Sequence, residues 1–241
     1  MALTLPIAKI GERSVYHNFL IYGDAGVGKT VLAGSAQAVI HAGPVLFVDI
    51  EAGTNSLLKT YPDVDSVRIS TWKELQDIYD YLVDEDHGYK TVVIDSLTEA
   101  QKINMYFIMK RAGLEPGEDK SGWDEYNMSL EHMNKFVRAF RDLPMNVIFT
   151  ALADSERDKM GKLSIFPFFT GKFKKVVAGL LDEVFYLYIK ELYDEETKET
   201  SMHRLLLTSA TETTIGKDRS GQLPQVILDP TMDEIFRIMK G

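Results

Sequence analysis

The residues best suited to chemistry in this chain form one glycine-rich segment, residues 23–30. Its sequence is Gly-Asp-Ala-Gly-Val-Gly-Lys-Thr, which satisfies the pattern G-x-x-x-x-G-K-S/T at every position. Glycines let backbone N–H groups surround phosphate oxygens, because no Cβ stands in the way. The Lys29 ammonium can reach the β- and γ-phosphates, and the Thr30 hydroxyl can bind Mg²⁺. The segment therefore predicts a binding site for ATP and Mg²⁺.

The residues around this segment match the context that a phosphate-binding loop needs. Residues 19–22 form a short apolar run that is typical of a strand, and residues 31–33 begin a helical pattern. A glycine-rich turn that matched by chance would lack this order of strand, loop, lysine, hydroxyl and helix. The predicted nucleotide contacts are Gly23, Asp24, Ala25, Gly26, Val27, Gly28, Lys29, Thr30 and Val31.

Two carboxylates that follow other apolar runs complete a candidate catalytic centre. Asp95 ends one such run, where a P-loop protein needs a carboxylate for Mg²⁺, so Thr30 and Asp95 are the predicted metal ligands. The next residue is Ser96, which cannot orient an attacking water as a glutamate can. Glu51 lies just beyond the apolar run 45–49, and the carboxyl ends of parallel strands line one crevice. Glu51 is therefore the candidate that positions the water, and an ordinary loop carboxylate is the alternative.

Apolar runs alternate with helical patterns over the first part of the chain. This alternation predicts an α/β fold with a mostly parallel central sheet and helices on both faces. The predicted strands are residues 19–22, 45–49, 66–69, 91–96 and 146–151, and the predicted helices are residues 30–41, 71–82, 96–112 and 124–144.

The pattern changes in the last quarter of the chain. Residues 183–192 and 203–209 read as strands, and the acidic segment 194–200 between them reads as a turn. We expect these strands to form a C-terminal antiparallel hairpin, followed by a short helix that residues 231–234 cap.

Composition limits the classes of protein that this chain can belong to. Of the 241 residues, 45% are hydrophobic and 26% are charged, which are ordinary globular values. The chain has no cysteine, no signal-peptide pattern and no apolar run long enough to span a membrane, so we expect a cytoplasmic protein without a membrane partner. A net charge of −9 argues against a surface coated with nucleic-acid contacts, but it leaves room for a local basic groove.

One stretch beyond the strand 146–151 has that basic character. Residues 159–178 contain five lysines and no acidic residue, and phenylalanines are interleaved with them. Cations that follow a backbone and rings that stack on bases are what a single-strand site requires. The alternative is that the phenylalanines belong to the core and the lysines to a solvated helix face. The candidate DNA contacts are Arg157, Lys159, Lys162, Lys172, Lys174 and Lys175.

The segments around Glu51 and Asp95 resemble those of RecA-like recombinases and the related DnaB-type helicases. Residues 45–53 read VLFVDIEAG and residues 92–97 read VVIDSL, and that superfamily carries its catalytic glutamate after the earlier of these strands. The resemblance implies a RecA-like P-loop ATPase. It also implies that Thr150 lies where such proteins read the nucleotide state, although the usual glutamine after this position is missing.

A Lys-x-Arg segment near the C-terminus extends the resemblance. Lys217 and Arg219 match the pair by which RecA-like and DnaB-like subunits reach the γ-phosphate of a neighbour. Two cations entering from outside can neutralise charge on the transferring phosphoryl group, which makes them candidate catalytic residues. A solvated turn is the alternative. The resemblance therefore implies a homo-oligomer, a ring or a filament, with ATP sites at its subunit interfaces.

At this size the chain looks like the phage-encoded, RecA-like single-strand annealing ATPases of the Sak group, a resemblance that covers about residues 18–224. It implies action on single-stranded DNA in recombination, annealing or strand exchange, stimulation of the ATPase by DNA, a single-strand-binding protein as a further partner, and the host cytoplasm as location.

We expect a single RecA-like domain over residues 1–241, because the chain shows no repeat, linker or change in composition. Its predicted parts are an N-terminal strand or arm (1–17), the P-loop core (18–151), a DNA-binding loop and helix (152–182), and the hairpin, Lys-x-Arg segment and terminal helix (183–241).

Two other functions fit the same residues. A RecA-core ATPase that acts through a protein partner, such as a helicase-loading or packaging accessory, agrees better with the net charge of −9. A nucleotide-dependent assembly switch that does not hydrolyse ATP is the other alternative.

Overall fold

The computed structural model of the chain describes residue 9, residues 16–193, residue 195 and residues 198–240. Most of the predicted N-terminal strand or arm at residues 1–17 and part of the acidic turn at 194–200 lie outside the described residues.

A twisted sheet of ten strands in the described residues forms the centre of the molecule. The neighbouring strands follow the order β10-β8-β7-β1-β5-β4-β2-β3, with β6 paired to β5 and β9 paired to β7. The strands are β1 (Asn18–Gly23), β2 (Val45–Asp49), β3 (Asp65–Arg68), β4 (Thr91–Asp95), β5 (Asn146–Arg157), β6 (Leu163–Pro167), β7 (Glu183–Tyr193), β8 (Thr200–Leu207), β9 (Lys217–Asp218) and β10 (Val226–Leu228).

The strands from β3 to β7 in this order run parallel to one another, and the pairs that involve β6, β8, β9 and β10 are antiparallel. The carboxyl ends of β1, β2, β4 and β5 therefore meet at one edge of the sheet, which we call the upper edge. The predicted α/β fold with a C-terminal hairpin is confirmed.

Helices cover both faces of the sheet. Successive residues of β1 alternate between two apolar clusters: Leu20 and Tyr22 belong to one, whereas Phe19 and Ile21 belong to the other. This period of two is that of a strand buried on both faces. The helices are α1 (Lys29–Gly34), α2 (Trp72–Asp84), α3 (Leu97–Arg111), α4 (Trp123–Arg141), α5 (Phe173–Leu180) and α6 (Met232–Lys240).

The helix after the phosphate loop is shorter than the sequence predicts. It ends at Gly34 and continues as a 3-10 turn over Ser35–Ala38, rather than as a helix to residue 41. The Ser35 hydroxyl donates to the Leu32 carbonyl oxygen and accepts from the N–H of Met232, at 2.6 and 2.9 Å. These bonds tie the end of α1 to the start of α6. The predicted capping box at Thr71 and the predicted cap at Ser96 are confirmed.

The segment 152–182, predicted as a loop and a helix, begins as a β-hairpin. β5 runs past the predicted end of its strand to Arg157, and β6 returns antiparallel to it. The sequence concealed this hairpin because residues 154–157 are all polar and show no apolar alternation. Asp158 closes the turn by accepting from the N–H groups of Met160 and Lys162. No helix among the described residues combines the length and the apolar character needed to cross a membrane.

Candidate functional site

The phosphate loop connects β1 to α1 at the upper edge of the sheet. Gly26 and Gly28 have φ angles of +79° and +104°, a region that residues with a Cβ rarely adopt. The Lys29 Nζ lies inside the loop and donates to the carbonyl oxygens of Gly23 and Asp24, at 3.0 and 2.9 Å. The ammonium is thus held where phosphate oxygens can replace carbonyl oxygens as its partners.

Burial lowers the pKa of Lys29, and the nearby carboxylates of Glu51 and Asp95 act in the opposite direction. The lysine is therefore the cation of a small cluster whose other members are acidic. This is the charge arrangement that the P-loop motif predicts.

Asp95 lies behind the loop and is almost completely buried, with 1% of its surface exposed. Thr30 donates its hydroxyl to Oδ2 of Asp95 at 2.8 Å, and Thr150 donates to Oδ1. Burial raises the pKa of Asp95, and the two hydroxyl bonds oppose that rise. The structure brings together Thr30 and Asp95, the two predicted ligands of Mg²⁺.

The space in front of this pair is kept open by Gly53. A Cβ on Gly53 would lie 3.4 Å from Asp95 Oδ2 and 3.5 Å from Thr30 Oγ1. A carboxylate and a hydroxyl are hard oxygen donors, which Mg²⁺ prefers, and this metal keeps several waters that need room. The donor set and the open space therefore fit Mg²⁺ bound with a nucleotide.

Thr150 contributes to the site indirectly, through its hydrogen bond to Asp95. It is completely buried, so its hydroxyl meets the carboxylate and does not face the space around the phosphate loop. The sequence predicted Thr150 as a nucleotide contact; in the structure it is a residue that positions Asp95.

Glu51 follows β2 and lies next to β4 at the same edge. Its carboxylate accepts from the Ser96 hydroxyl, and its N–H donates to the Asp95 carbonyl oxygen at 3.3 Å. The structure thus places Glu51 beside Asp95 and within the electrostatic reach of Lys29. Ser96 cannot act as a base itself, but its hydroxyl orients Glu51, which can.

Asp49, the last residue of β2, is a site residue that sequence reasoning missed. It is buried, and it accepts from the Gly53 N–H at 3.1 Å and from the Thr54 hydroxyl at 2.9 Å. These bonds fix the turn that carries Glu51 and Gly53. Only its position before Glu51 could have signalled this role.

Arg204 of β8 is a second residue that the sequence did not reveal. Its Nε donates to the Val27 carbonyl oxygen at 3.0 Å, and a Cβ on Gly28 would lie 2.7 Å from that Nε. Arg204 therefore packs directly on the phosphate loop. Because 177 positions separate it from Val27, no local pattern could have indicated the contact.

The structure does not bring Lys217 and Arg219 to the phosphate loop of the same chain. They belong to the β9 segment, which pairs with the beginning of β7, and Glu183 of β7 lies opposite Phe19 at the beginning of β1. The phosphate loop follows the end of β1. The two cations therefore lie at the opposite edge of the sheet, which we call the lower edge.

Both cations have partners at the lower edge. Lys217 Nζ donates to the carbonyl oxygens of Ala178 and Leu181, at 3.1 and 2.5 Å, and Arg219 forms an ion pair with Asp182. Burial lowers the pKa of Lys217, and the neighbouring charge of Arg219 lowers it further.

A buried carboxyl group lies beneath this pair. Glu183 has 1% of its surface exposed, and burial, together with the charge of Asp218, raises its pKa to about 8. The lower edge therefore contains its own group of interacting acids and bases.

The candidate DNA contacts divide into two groups. Arg157, Lys159 and Lys162 are exposed around the tip of the β5–β6 hairpin, where Arg157 donates to the Gly161 carbonyl oxygen at 3.0 Å. Lys172, Lys174 and Lys175 lie at the start of α5.

Two lysines of the second group have partners. Lys174 forms an ion pair with Glu156 at 2.6 Å and lies over the ring of Phe166, and Lys172 lies over the ring of Trp123. Three of the four phenylalanines in this stretch, Phe166, Phe169 and Phe173, are buried in the core, and Phe168 is exposed.

Comparison with known proteins agrees with the site. The chain matches the family model described as AAA domain over residues 16–220, and it belongs to this family. With its phosphate loop and paired Thr30 and Asp95, it is a P-loop ATPase domain of the AAA type.

No curated protein matches the chain. Among solved structures it is similar to a prototypical ATPase from the type III secretion system of pathogenic bacteria, at 16% identity and a TM-score of 0.44. That similarity covers 71% of this chain and 52% of the other, so the chain spans about half the length of that ATPase.

Proposed function

We propose that this ATPase hydrolyses ATP when it binds single-stranded DNA, and that it serves recombination by annealing or strand exchange, as the RecA-like ATPases of the phage Sak group do. One observation carries the proposal: a single strand, β5, joins the predicted Mg²⁺ site to the hairpin that bears Arg157, Lys159 and Lys162. Thr150 of β5 donates to Asp95, and the same strand continues to Arg157 at the hairpin.

This connection gives a physical route between the two sites. Arg157 lies seven positions beyond Thr150, which is about 23 Å of extended strand. β5 is paired with β1 over Val147–Leu152 and with β6 over Ala153–Arg157, so one continuous hydrogen-bonded strand connects the two regions. DNA bound at the hairpin therefore acts on the Thr150–Asp95 bond, and so on the ATPase centre.

The residues of the upper edge have distinct tasks in hydrolysis. Lys29 would bind the β- and γ-phosphate oxygens, and Thr30 and Asp95 would hold Mg²⁺, which would supply positive charge against those oxygens. Glu51 accepts a hydrogen bond from the attacking water and orients it, while Ser96 holds the Glu51 carboxylate in place.

Lys217 and Arg219 complete the site from a neighbouring subunit in this proposal. Their position at the lower edge excludes a role at the phosphate loop of their own chain. The Arg219 side chain is 60% exposed, so it is accessible to a second copy, and its bond to Asp182 would be exchanged for one to phosphate. The active assembly is then a ring or a filament, with a single-strand-binding protein as a further partner on the DNA.

A protein partner in place of DNA is the second candidate, and the hairpin itself favours it. Asp154, Glu156 and Asp158 accompany the three cations of its tip region, so the hairpin is not strongly basic. Such a surface could contact the mixed charges of another protein.

The test is ATP turnover with and without single-stranded DNA, with Lys29→Ala as the inactive control. We expect DNA to stimulate turnover, and the triple variant Arg157→Ala/Lys159→Ala/Lys162→Ala to keep its basal rate while losing stimulation. Lys59→Ala is the matched control, because Lys59 is an exposed lysine that follows the 3-10 turn Thr54–Leu57, outside the hairpin. An ATP turnover rate that does not change when DNA is added, together with the absence of salt-sensitive DNA binding, would contradict the proposal and favour the protein partner.

A further inference from the structure

A continuous groove follows the exposed face of α3, away from the phosphate loop. It consists of three cavities of 430, 340 and 280 Å³ that share walls. Tyr106 lines the first two cavities, and Tyr126 and Thr170 line the last two. We call this surface the aromatic groove and define it by the side chains of Tyr106, Trp123, Tyr126 and Phe168.

These four side chains are exposed to an unusual degree. Trp123 has 70% of its surface exposed, and the values for Phe168, Tyr106 and Tyr126 are 43%, 42% and 40%. Burying such rings normally stabilises a fold, so a row of exposed rings along one groove indicates a surface that binds something.

The charge of the groove differs from that of the whole protein. Among the residues that line the three cavities, the charged ones are Lys73, Glu99, Lys102, Lys110, Glu115 and Lys172. Four lysines against two glutamates give these lining residues a formal charge of +2, whereas the chain carries −9. Lys102 forms an ion pair with Glu99, and Lys73 forms one with Asp77. Lys172 also lies over the ring of Trp123, 5.6 Å from its centre.

The groove is connected to the ATPase centre through Phe168. The N–H of Phe168 donates to the Leu152 carbonyl oxygen of β5 at 2.7 Å, and the Thr98 hydroxyl donates to the Phe168 carbonyl oxygen at 3.3 Å. Leu152 is two residues beyond Thr150. The wall of the groove is therefore bonded to the strand that contacts Asp95.

We propose that the aromatic groove binds single-stranded DNA by stacking bases on its exposed rings, with the phosphates near its lysines. This rests on the proposed function and adds the place where the bases bind. Rings accept any base because each base has a flat face, and lysines match the phosphate backbone. A duplex keeps its bases stacked on each other, so the groove selects unpaired strands.

Tryptophan fluorescence gives a direct test, because the chain has two tryptophans and only Trp123 is exposed. In a Trp72→Phe variant, which keeps a ring at the buried position, the emission comes from Trp123 alone. We expect oligo-dT to quench this emission as it binds, and excess unlabelled duplex to leave it unchanged.

The second measurement is the affinity for oligo-dT by fluorescence anisotropy. Trp123→Ala and Tyr126→Ala should each weaken binding about tenfold, because each removes a ring on which a base stacks, while Trp123→Phe retains most of the affinity. Tyr81→Ala is the matched control, since Tyr81 is 40% exposed and lies outside the groove.

The outcomes separate this proposal from the one on which it rests. One outcome is that the wild type binds oligo-dT while neither alanine variant weakens binding and the Trp123 emission is not quenched. That result would contradict the proposal that bases stack in the aromatic groove, and the proposed binding of single-stranded DNA would be retained. If the wild type does not bind oligo-dT at any salt concentration, both proposals fail and the groove belongs to a protein partner.

Discussion

Each of the two edges of the sheet holds a lysine by hydrogen bonds from its ammonium group to backbone carbonyl oxygens. At the upper edge Lys29 donates to the carbonyl oxygens of Gly23 and Asp24, and at the lower edge Lys217 donates to those of Ala178 and Leu181. Burial lowers the pKa of both lysines. Each ammonium is fixed by backbone dipoles rather than by an ion pair.

The surroundings of the two lysines differ in the sign of their nearest charges. Carboxylates raise the pKa of Lys29, whereas at Lys217 the charge of Arg219 lowers the pKa and those of Asp182 and Glu183 raise it. The upper edge therefore holds one cation among acids, and the lower edge holds two cations together with carboxylates of its own. Under the proposed function, each edge is half of a phosphate site, and two chains complete one.

The largest effect on turnover should come from replacing Lys29 or Lys217. Lys29→Ala should lower turnover about 10²–10³-fold and abolish binding of a fluorescent ATP analogue, because the loop loses its cation. Lys217→Ala should lower turnover while nucleotide binding remains, because its own loop is intact. Equal loss of binding in both variants would break the distinction between the edges. Lys59→Ala is the control.

Glu51→Gln tests whether Glu51 orients the attacking water at the upper edge. We expect turnover to fall about 10²–10³-fold with unchanged ATP affinity, because an amide cannot accept the proton of the water. The Ser96 hydroxyl can still donate to the amide oxygen, so the side chain keeps its place. Turnover within a few-fold of the wild type would remove Glu51 from the mechanism, and negligible turnover in the wild type would favour a switch that does not hydrolyse ATP.

Thr150→Val should have a smaller effect at the same edge. It removes the bond to a buried Asp95 oxygen, a loss of about 1–3 kcal/mol, so turnover should need about tenfold more Mg²⁺. Thr91→Val is the matched control: Thr91 is equally buried, but it donates to the Ala42 carbonyl oxygen at the far end of β4. The account would be wrong if both variants shifted the Mg²⁺ dependence alike.

The smallest effect is expected for Glu183 at the lower edge, and it concerns how the free energy of unfolding depends on pH. The pKa of Glu183 is about 8, above its ordinary value of 4.5. Between these values the folded state keeps a proton that the unfolded chain has lost, so the free energy of unfolding falls as the pH rises through this interval. Glu183→Gln should make that dependence flatter, as measured by urea unfolding at about pH 5 and about pH 9.

Glu156→Gln is the control for this prediction, because Glu156 is exposed and part of a surface ion pair. An unchanged pH dependence in Glu183→Gln would show that Glu183 titrates normally.

The upper edge was largely predictable because its signals are local. The phosphate loop is one continuous motif, and the buried strands that end at Asp49 and Asp95 are continuous apolar runs. Carboxyl ends of parallel strands must meet at one edge, which is why Glu51 could be expected beside Asp95.

The contacts that were missed depend on pairing between distant segments. Arg204 reaches the phosphate loop only because β8 folds back beside β7. The polar end of β5 becomes a strand only because β6 pairs with it. The same hairpin decides which phenylalanines are buried, so Phe166 and Phe168 could not be told apart in the sequence.

The claim that two chains share each site is tested most directly by mixing two inactive variants. Lys29→Ala lacks the upper half and Arg219→Ala lacks the lower half, and each alone should be nearly inactive. When the two are co-assembled on single-stranded DNA, some interfaces pair an intact phosphate loop with an intact Arg219, and turnover should return in part. No recovery in mixtures that have been shown to co-assemble would contradict the shared site.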